Sequence, residues 1–166
     1  MFKKNKEKNP PSQAPSIIDF LIDLPLFDAL QGNELTVIAR HMNYFELEPG
    51  ELLFREGDKG DSVCFVVEGA LDIYKESAGG GDVVIATIAK RRSIGEMAII
   101  DNTPRSATVK ARTATALVSL TQKGFEQVLE EHPKIGITIL KGLSRLLSMN
   151  LRKTSSRLAD YLLPLG

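Results

Sequence analysis

A single cysteine, Cys64, in 166 residues excludes an intrachain disulfide framework and any thiolate cluster supplied by one chain. A chain without such staples suits a reducing compartment, and the cytoplasm is the expected location. Cys64 lies in an apolar stretch, where a buried, inert thiol is expected. Histidine is nearly as scarce, and His41 and His132 fall in separate helical contexts, so neither a metal nor a haem site is expected and no cofactor is assigned. No charge of either sign is in excess: 21 lysines and arginines face 21 aspartates and glutamates. The broad positive field of a dedicated nucleic-acid binder is therefore missing, and any attraction to phosphate has to be local. Long apolar runs are also lacking, so no membrane span is expected. The basic start, with Lys3, Lys4, Lys6 and Lys8, leads into no apolar segment, so a secretory signal is not expected either.

What is present is an ordinary globular composition, 43% hydrophobic and 25% charged, in a length suited to one domain. Residues 1 to 15 are lysine-rich and carry Pro10, Pro11 and Pro15, a composition expected to form a disordered, solvated basic arm. The single domain is expected over residues 16 to 166. Ser16 can cap a short helix with the apolar stripe Ile17, Ile18, Phe20, Leu21 and Leu24, Asp19 at the capping-box position, and Pro25 at its end. A second helical pattern runs through Leu35, Ile38, Ala39 and Met42.

From about residue 44 to 120 the period changes to that of strands, with turns at Pro49-Gly50, Gly57 to Gly60, Gly69 and Gly79 to Asp82. Strands are predicted at Tyr44 to Leu47, Glu51 to Arg55, Ser62 to Glu68, Ala70 to Lys75, Val83 to Ala89, Ala107 to Ala111 and Ala116 to Leu120. Short strands between such turns predict a closed β-roll or sandwich. Helices return over about 121 to 163, with Pro133 at a first helical position. The long last helix carries Ile139, Leu140, Leu143, Leu147, Leu151, Thr154, Leu158 and Tyr161 at helical spacing, up to Pro164.

One segment fits neither pattern. In Arg92-Ser93-Ile94-Gly95-Glu96-Met97-Ala98-Ile99-Ile100, Gly95 permits close backbone approach. Glu96 to Ile100 makes one or two helical turns whose first N–H groups are free to attract an anion. Pro104 delivers Arg105, which lies nine positions past Glu96 and whose planar guanidinium can grip phosphate by two parallel hydrogen bonds, and Ser106 adds a hydroxyl. A carboxylate and an arginine at opposite ends of such a crossing suit a ligand with a diol-like hydroxyl at one end and a monoanion at the other. A ribose cyclic phosphate has that form.

This segment closely resembles the phosphate-binding cassette of the cyclic-nucleotide-binding domain family, which includes the catabolite activator protein, cyclic-AMP-dependent kinase regulatory subunits and cyclic-nucleotide-gated channels. The family pattern is matched by Gly95, Glu96, Met97 and Ala98, then by Pro104, Arg105, Ser106 and Ala107. The likeness extends over roughly residues 20 to 163, with the Gly57 and Gly69 turns and the long terminal helix. It implies an α+β, mainly β fold: a jelly-roll-like double-stranded β-helix flanked by N-terminal helices and a long C-terminal helix. It also implies that Glu96 accepts from the ribose 2'-OH and that Arg105 pairs with the phosphate. Backbone N–H groups of Gly95, Ala98 and Ala107, with the Ser106 hydroxyl, would complete the cradle. Thr154 and Ser155 look like the Thr-Ser pair that contacts adenine in the catabolite activator protein, although a threonine hydroxyl does not by itself select adenine over guanine. Arg91 departs from the glycine of many members, which predicts a differently shaped hairpin and a second positive charge near the entrance.

The function implied is a sensor that binds cyclic AMP, or alternatively cyclic GMP, and signals through its terminal helix. A homodimer through that helix is expected, with a separate effector protein as a further partner. The alternative is a dimerisation scaffold that keeps the fold without the ligand. An enzyme is not expected, because no nucleophile and base stand together. Only three residues follow Leu163, so no winged helix-turn-helix for DNA is expected in this chain.

Overall fold

The computed structural model describes residues 16–77 and 79–162. The basic arm expected over residues 1 to 15 lies outside these, as do residues 163–166. The order of elements is α1 (Ile17–Ile22), α2 (Gly32–Ala39), β1 (Met42–Leu47), β2 (Leu52–Phe54), β3 (Ser62–Glu68), β4 (Ala70–Glu76) and β5 (Asp82–Ala89). There follow β6 (Ser93–Ile94), α3 (Glu96–Asp101), β7 (Thr108–Ala111), β8 (Thr115–Thr121), α4 (Gln122–Glu131) and α5 (Pro133–Leu162).

The strands form two four-stranded antiparallel sheets, ordered β1-β8-β3-β6 and β2-β7-β4-β5. Between them lies an apolar interior of Leu47, Leu53, Phe54, Cys64, Val66, Leu71, Val109, Ala111 and Leu117. The opposite face of the first sheet carries Val63, Phe65, Val67, Val118 and Leu120 into a second core with α1, α2, α4 and α5. Successive residues of β3 therefore serve different cores, which is the period-two alternation of a strand with both faces covered. Burial of each such side chain contributes about 1.5–3 kcal/mol. The mainly β roll with flanking helices is as the sequence predicts.

Local signals account for the starts of α1, α2, α4 and α5. The Ser16 hydroxyl accepts from the Asp19 N–H at 3.2 Å, Glu34 accepts from the Gln31 N–H at 2.9 Å, and Thr121 accepts from the Gly124 N–H at 3.1 Å. Pro133 opens α5 as expected.

Three expectations need correction. Met42 is not helical: α2 ends at Ala39, and Met42 opens β1 opposite Leu120, because its side chain finds the helical core from a strand as well as from a helix. Leu24 lies past the end of α1, yet is buried in the same core. The short strand β6 was not foreseen; it pairs Ile94 with Cys64 and Ser93 with Phe65 and so fixes the start of the cassette against β3.

Candidate functional site

The cassette occupies the crossing between β6 and β7. Gly95 is the left-handed N-cap of α3, with φ of 84°. A Cβ there would stand 2.3 Å from Arg105 Nη1 and 3.0 Å from the Ser62 carbonyl oxygen, so no larger residue fits this conformation and this contact together. Asn102, also left-handed at φ of 56°, closes the helix. Ala98 is buried, and a Cβ on Gly60 would meet the Ala98 Cβ at 2.1 Å, so the turn before β3 presses directly against α3. The same turn clamps the arginine backbone: the Arg105 N–H donates to the Asp58 carbonyl at 2.8 Å, and the Gly57 N–H donates to the Arg105 carbonyl at 2.9 Å.

Arg105 is 4% exposed. Its Nη1 donates to the Gly95 carbonyl at 3.2 Å and its Nη2 to the Ser62 hydroxyl at 3.1 Å. Its guanidinium carbon sits 4.2 Å from the centre of the Phe54 ring, a cation–π contact. Nε is buried without a partner among the described residues. The nearest carboxylate is that of Asp61, 3.8 Å from Nη2 and itself 45% exposed. Burial lowers the pKa of the guanidinium, which nonetheless remains a cation at any physiological pH.

Glu96 is also buried, at 9% exposure, and burial raises its carboxyl pKa above the ordinary value. Its Oε1 accepts from Asn150 Nδ2 of α5 at 3.2 Å, which opposes that shift, as does the charge of Arg105. No ion pair joins Glu96 to Arg105 among the described residues. The two groups are thus not an exposed surface pair. They are two buried, differently charged groups on one short segment.

The remaining predicted residues fall in two sets. Ala98 and Ala107 are buried packing positions beside the arginine, while Met97 and Ser106 face solvent from the same cassette. Thr154 and Ser155 are exposed on α5; Thr154 follows Asn150 by one helical turn, hence on the same face and about 6 Å further along. Thr154 is not held in a buried apolar stripe, because α5 is exposed throughout its last turns.

Arg91 corrects two expectations. It adopts φ of 65°, the conformation that glycine would take most readily, so the hairpin keeps a left-handed turn. Its N–H donates to the Val66 carbonyl, and its guanidinium pairs with Asp23 at 2.5 Å instead of serving the cassette.

Sequence reasoning missed Ser62, Phe54 and Asn150. The first two are ordinary strand residues until β3 and β2 fold beside Arg105. For Asn150 a signal existed in its i, i+4 relation to Thr154. Cys64 is buried, and desolvation pushes its thiol up to about 12, so it stays protonated at neutral pH. A separate open groove lined by Ile17, Phe20, Tyr44, Glu46, Glu68 and Lys90 shares no residue with the cassette. There the Tyr44 hydroxyl donates to Glu46 at 2.8 Å, and burial raises its pKa to about 12.

Comparison with known proteins agrees with this geometry. Residues 44–132 match the family model described as "Cyclic nucleotide-binding domain". The cAMP-dependent protein kinase regulatory subunit of Mycosarcoma maydis is 32% identical, over 69% of this chain and 24% of its own. The chain thus spans about a quarter of that relative's length. A solved cyclic nucleotide-binding domain from Methylobacillus flagellatus superposes with a TM-score of 0.77 at 28% identity, covering 91% of this chain and 83% of that one. The regulatory subunit of a cAMP-independent protein kinase A from Trypanosoma brucei shares the fold, with a TM-score of 0.70 at 24% identity over 86% of this chain and 50% of its own. The fold alone therefore does not name the ligand. No described helix is long and apolar enough to cross a membrane. With the family model matched over more than half its length, by a segment that holds the buried Arg105 and Glu96, this chain belongs to the cyclic nucleotide-binding domain family.

Proposed function

We propose that the chain is a regulatory module that captures a purine 3',5'-cyclic monophosphate, cyclic AMP in preference to cyclic GMP, and performs no reaction on it. Arg105 pairs with the cyclic phosphate and Glu96 accepts from the ribose 2'-OH. The Gly95, Ala98 and Ala107 N–H groups and the Ser106 hydroxyl complete the cradle, and Thr154 and Ser155 meet the base from α5. Met97 lines the exposed side of the same segment. The observation that supports this most is the buried Arg105 guanidinium, which among the described residues has neutral hydrogen-bond partners, an unpartnered Nε, and no carboxylate within hydrogen-bond distance. Asp61, 3.8 Å away and half exposed to water, compensates the buried cation only in part, and a bound monoanion offsets the rest of that cost. A scaffold without a ligand has no use for this arrangement.

The exposed apolar residues Met149, Leu151, Leu158 and Tyr161 favour pairing of two copies through α5, with a separate effector protein responding to the helix. The cytoplasm, where cyclic nucleotides signal, is the proposed location.

Calorimetric titration with cyclic AMP, cyclic GMP and 5'-AMP tests the reading. Heat is expected with the cyclic nucleotides, with cyclic AMP the tightest; no heat with any of them overturns the reading in favour of the scaffold. Arg105→Ala is expected to weaken binding by at least about 1.5–3 kcal/mol, the contribution of one charged hydrogen bond.

A further inference from the structure

The hydrogen bond between α5 and the cassette assigns a role to a residue outside the cassette. Asn150 is exposed, contributes nothing to either apolar core, and lies in the stretch of α5 where every described residue is exposed. Its Nδ2 nevertheless donates to Oε1 of buried Glu96, 54 residues away in sequence, at 3.2 Å. We propose that Asn150 is the positioning residue for ribose recognition: by holding Oε1 of Glu96 it leaves Oε2 to accept the ribose hydroxyl, and so ties ribose binding to the position of the terminal helix. The inference rests on the reading of Glu96 as the ribose acceptor.

The chemistry supports it in two ways. A carboxylate has acceptor capacity on both oxygens, so the Asn150 contact and a ribose contact are compatible and are made together. Glu96 is also a carboxylate whose burial disfavours charge, and the amide donor favours the charged, accepting form. The charge acting on Glu96 is that of Arg105, with Asp61 3.8 Å from the guanidinium; α5 contributes the neutral Asn150 amide. Because coupling is reciprocal, a helix that prepares the acceptor is itself held in place by the ligand.

The test uses Asn150→Leu, which keeps the side-chain size, and Asn150→Asp, which replaces the donor with an acceptor. Affinities of the full chain for cyclic AMP and for 2'-deoxy cyclic AMP are measured by calorimetry. Asn150→Leu is expected to weaken cyclic AMP about tenfold, Asn150→Asp more, and neither is expected to change 2'-deoxy cyclic AMP more than about twofold. Equal losses with both ligands, or no loss with either, overturn the proposal. In parallel, carbon-detected NMR titration of the unliganded protein follows the Glu96 carboxyl. It is expected to titrate at higher pH in Asn150→Leu than in the parent, and an unchanged midpoint overturns the assignment. This second readout does not require nucleotide binding. A parent protein that binds neither nucleotide sinks the functional reading, while the NMR titration still judges the Asn150 contact.

Discussion

The two halves of α5 share one helix and have opposite surroundings. In the first, Ile135, Gly136, Ile139 and Leu143 are buried against α4 and the helical core, and two glycines mark close approach: a Cβ on Gly136 would meet Leu129 at 2.5 Å, and one on Gly142 would meet the Leu26 carbonyl oxygen at 2.6 Å. From Ser148 onward every described residue is exposed, and the hydrogen bond from Asn150 to Glu96 reaches back to the domain. The first half is therefore part of the fold, held by packing. The second half is held by little besides its own backbone bonds, and such segments open at low free-energy cost. A ligand sensor needs this division, because only an element with two arrangements of similar energy can report occupancy.

The contrast is broken most severely at Leu143. Leu143→Ala is expected to lower unfolding free energy by about 2–5 kcal/mol in urea denaturation, whereas Leu158→Ala in the unassociated chain should stay within about 0.5 kcal/mol. Similar losses at the two positions would mean that the outer half is packed after all.

A smaller effect is expected at Gly142. Alanine normally stabilises a helix interior by about 1 kcal/mol, but here the new methyl group meets a backbone oxygen, so Gly142→Ala should be a net loss of about 1–3 kcal/mol. Ser155→Ala, on the exposed half, should be neutral or slightly stabilising, and thermal melts of the two variants decide between gain and loss.

The smallest effect sharpens the comparison at the contact itself. The folded-state carboxyl pKa of Glu96 lies above its unfolded value because of burial, so its favourable contribution is complete below the unfolded pKa and is lost as pH rises through the folded one. Above the unfolded pKa, and so at pH 7, the buried carboxyl is a net cost to folding. Glu96→Gln is thus expected to raise the melting temperature of the unliganded protein at pH 7 and to leave it nearly unchanged near pH 4, while weakening nucleotide binding. A lower melting temperature at pH 7 would show that Asn150 and Arg105 outweigh desolvation.

Much of this was legible in the sequence because the signals are local. The change from helical to strand period near residue 44, Pro133 at the start of α5, and the Gly95-Glu96 and Pro104-Arg105 pairs each act over a few residues. The sequence even limits α3 to a turn or two, as found at Glu96–Asp101. What escaped depended on distant neighbours. A two-residue strand such as β6 exists only because β3 lies beside it. Met42 has the right spacing for a helix and the right burial for a strand, and pairing with Leu120 settles the matter. Arg91 looked like spare charge until Asp23 stood next to it.

The sequence by itself determined the kinds of element, the alternation that sends β3 into two cores, and the identity of the carboxylate and guanidinium, since periodicity and side-chain chemistry are properties of short stretches. The tertiary structure alone decided that Arg105 is sealed beneath Gly95, Ser62 and Phe54, and that Glu96 meets α5 through Asn150. The Ser62–Arg105 and Glu96–Asn150 contacts need residues 43 and 54 positions apart to arrive together, and desolvation, which makes both groups consequential, arises only once the surrounding chain has closed over them.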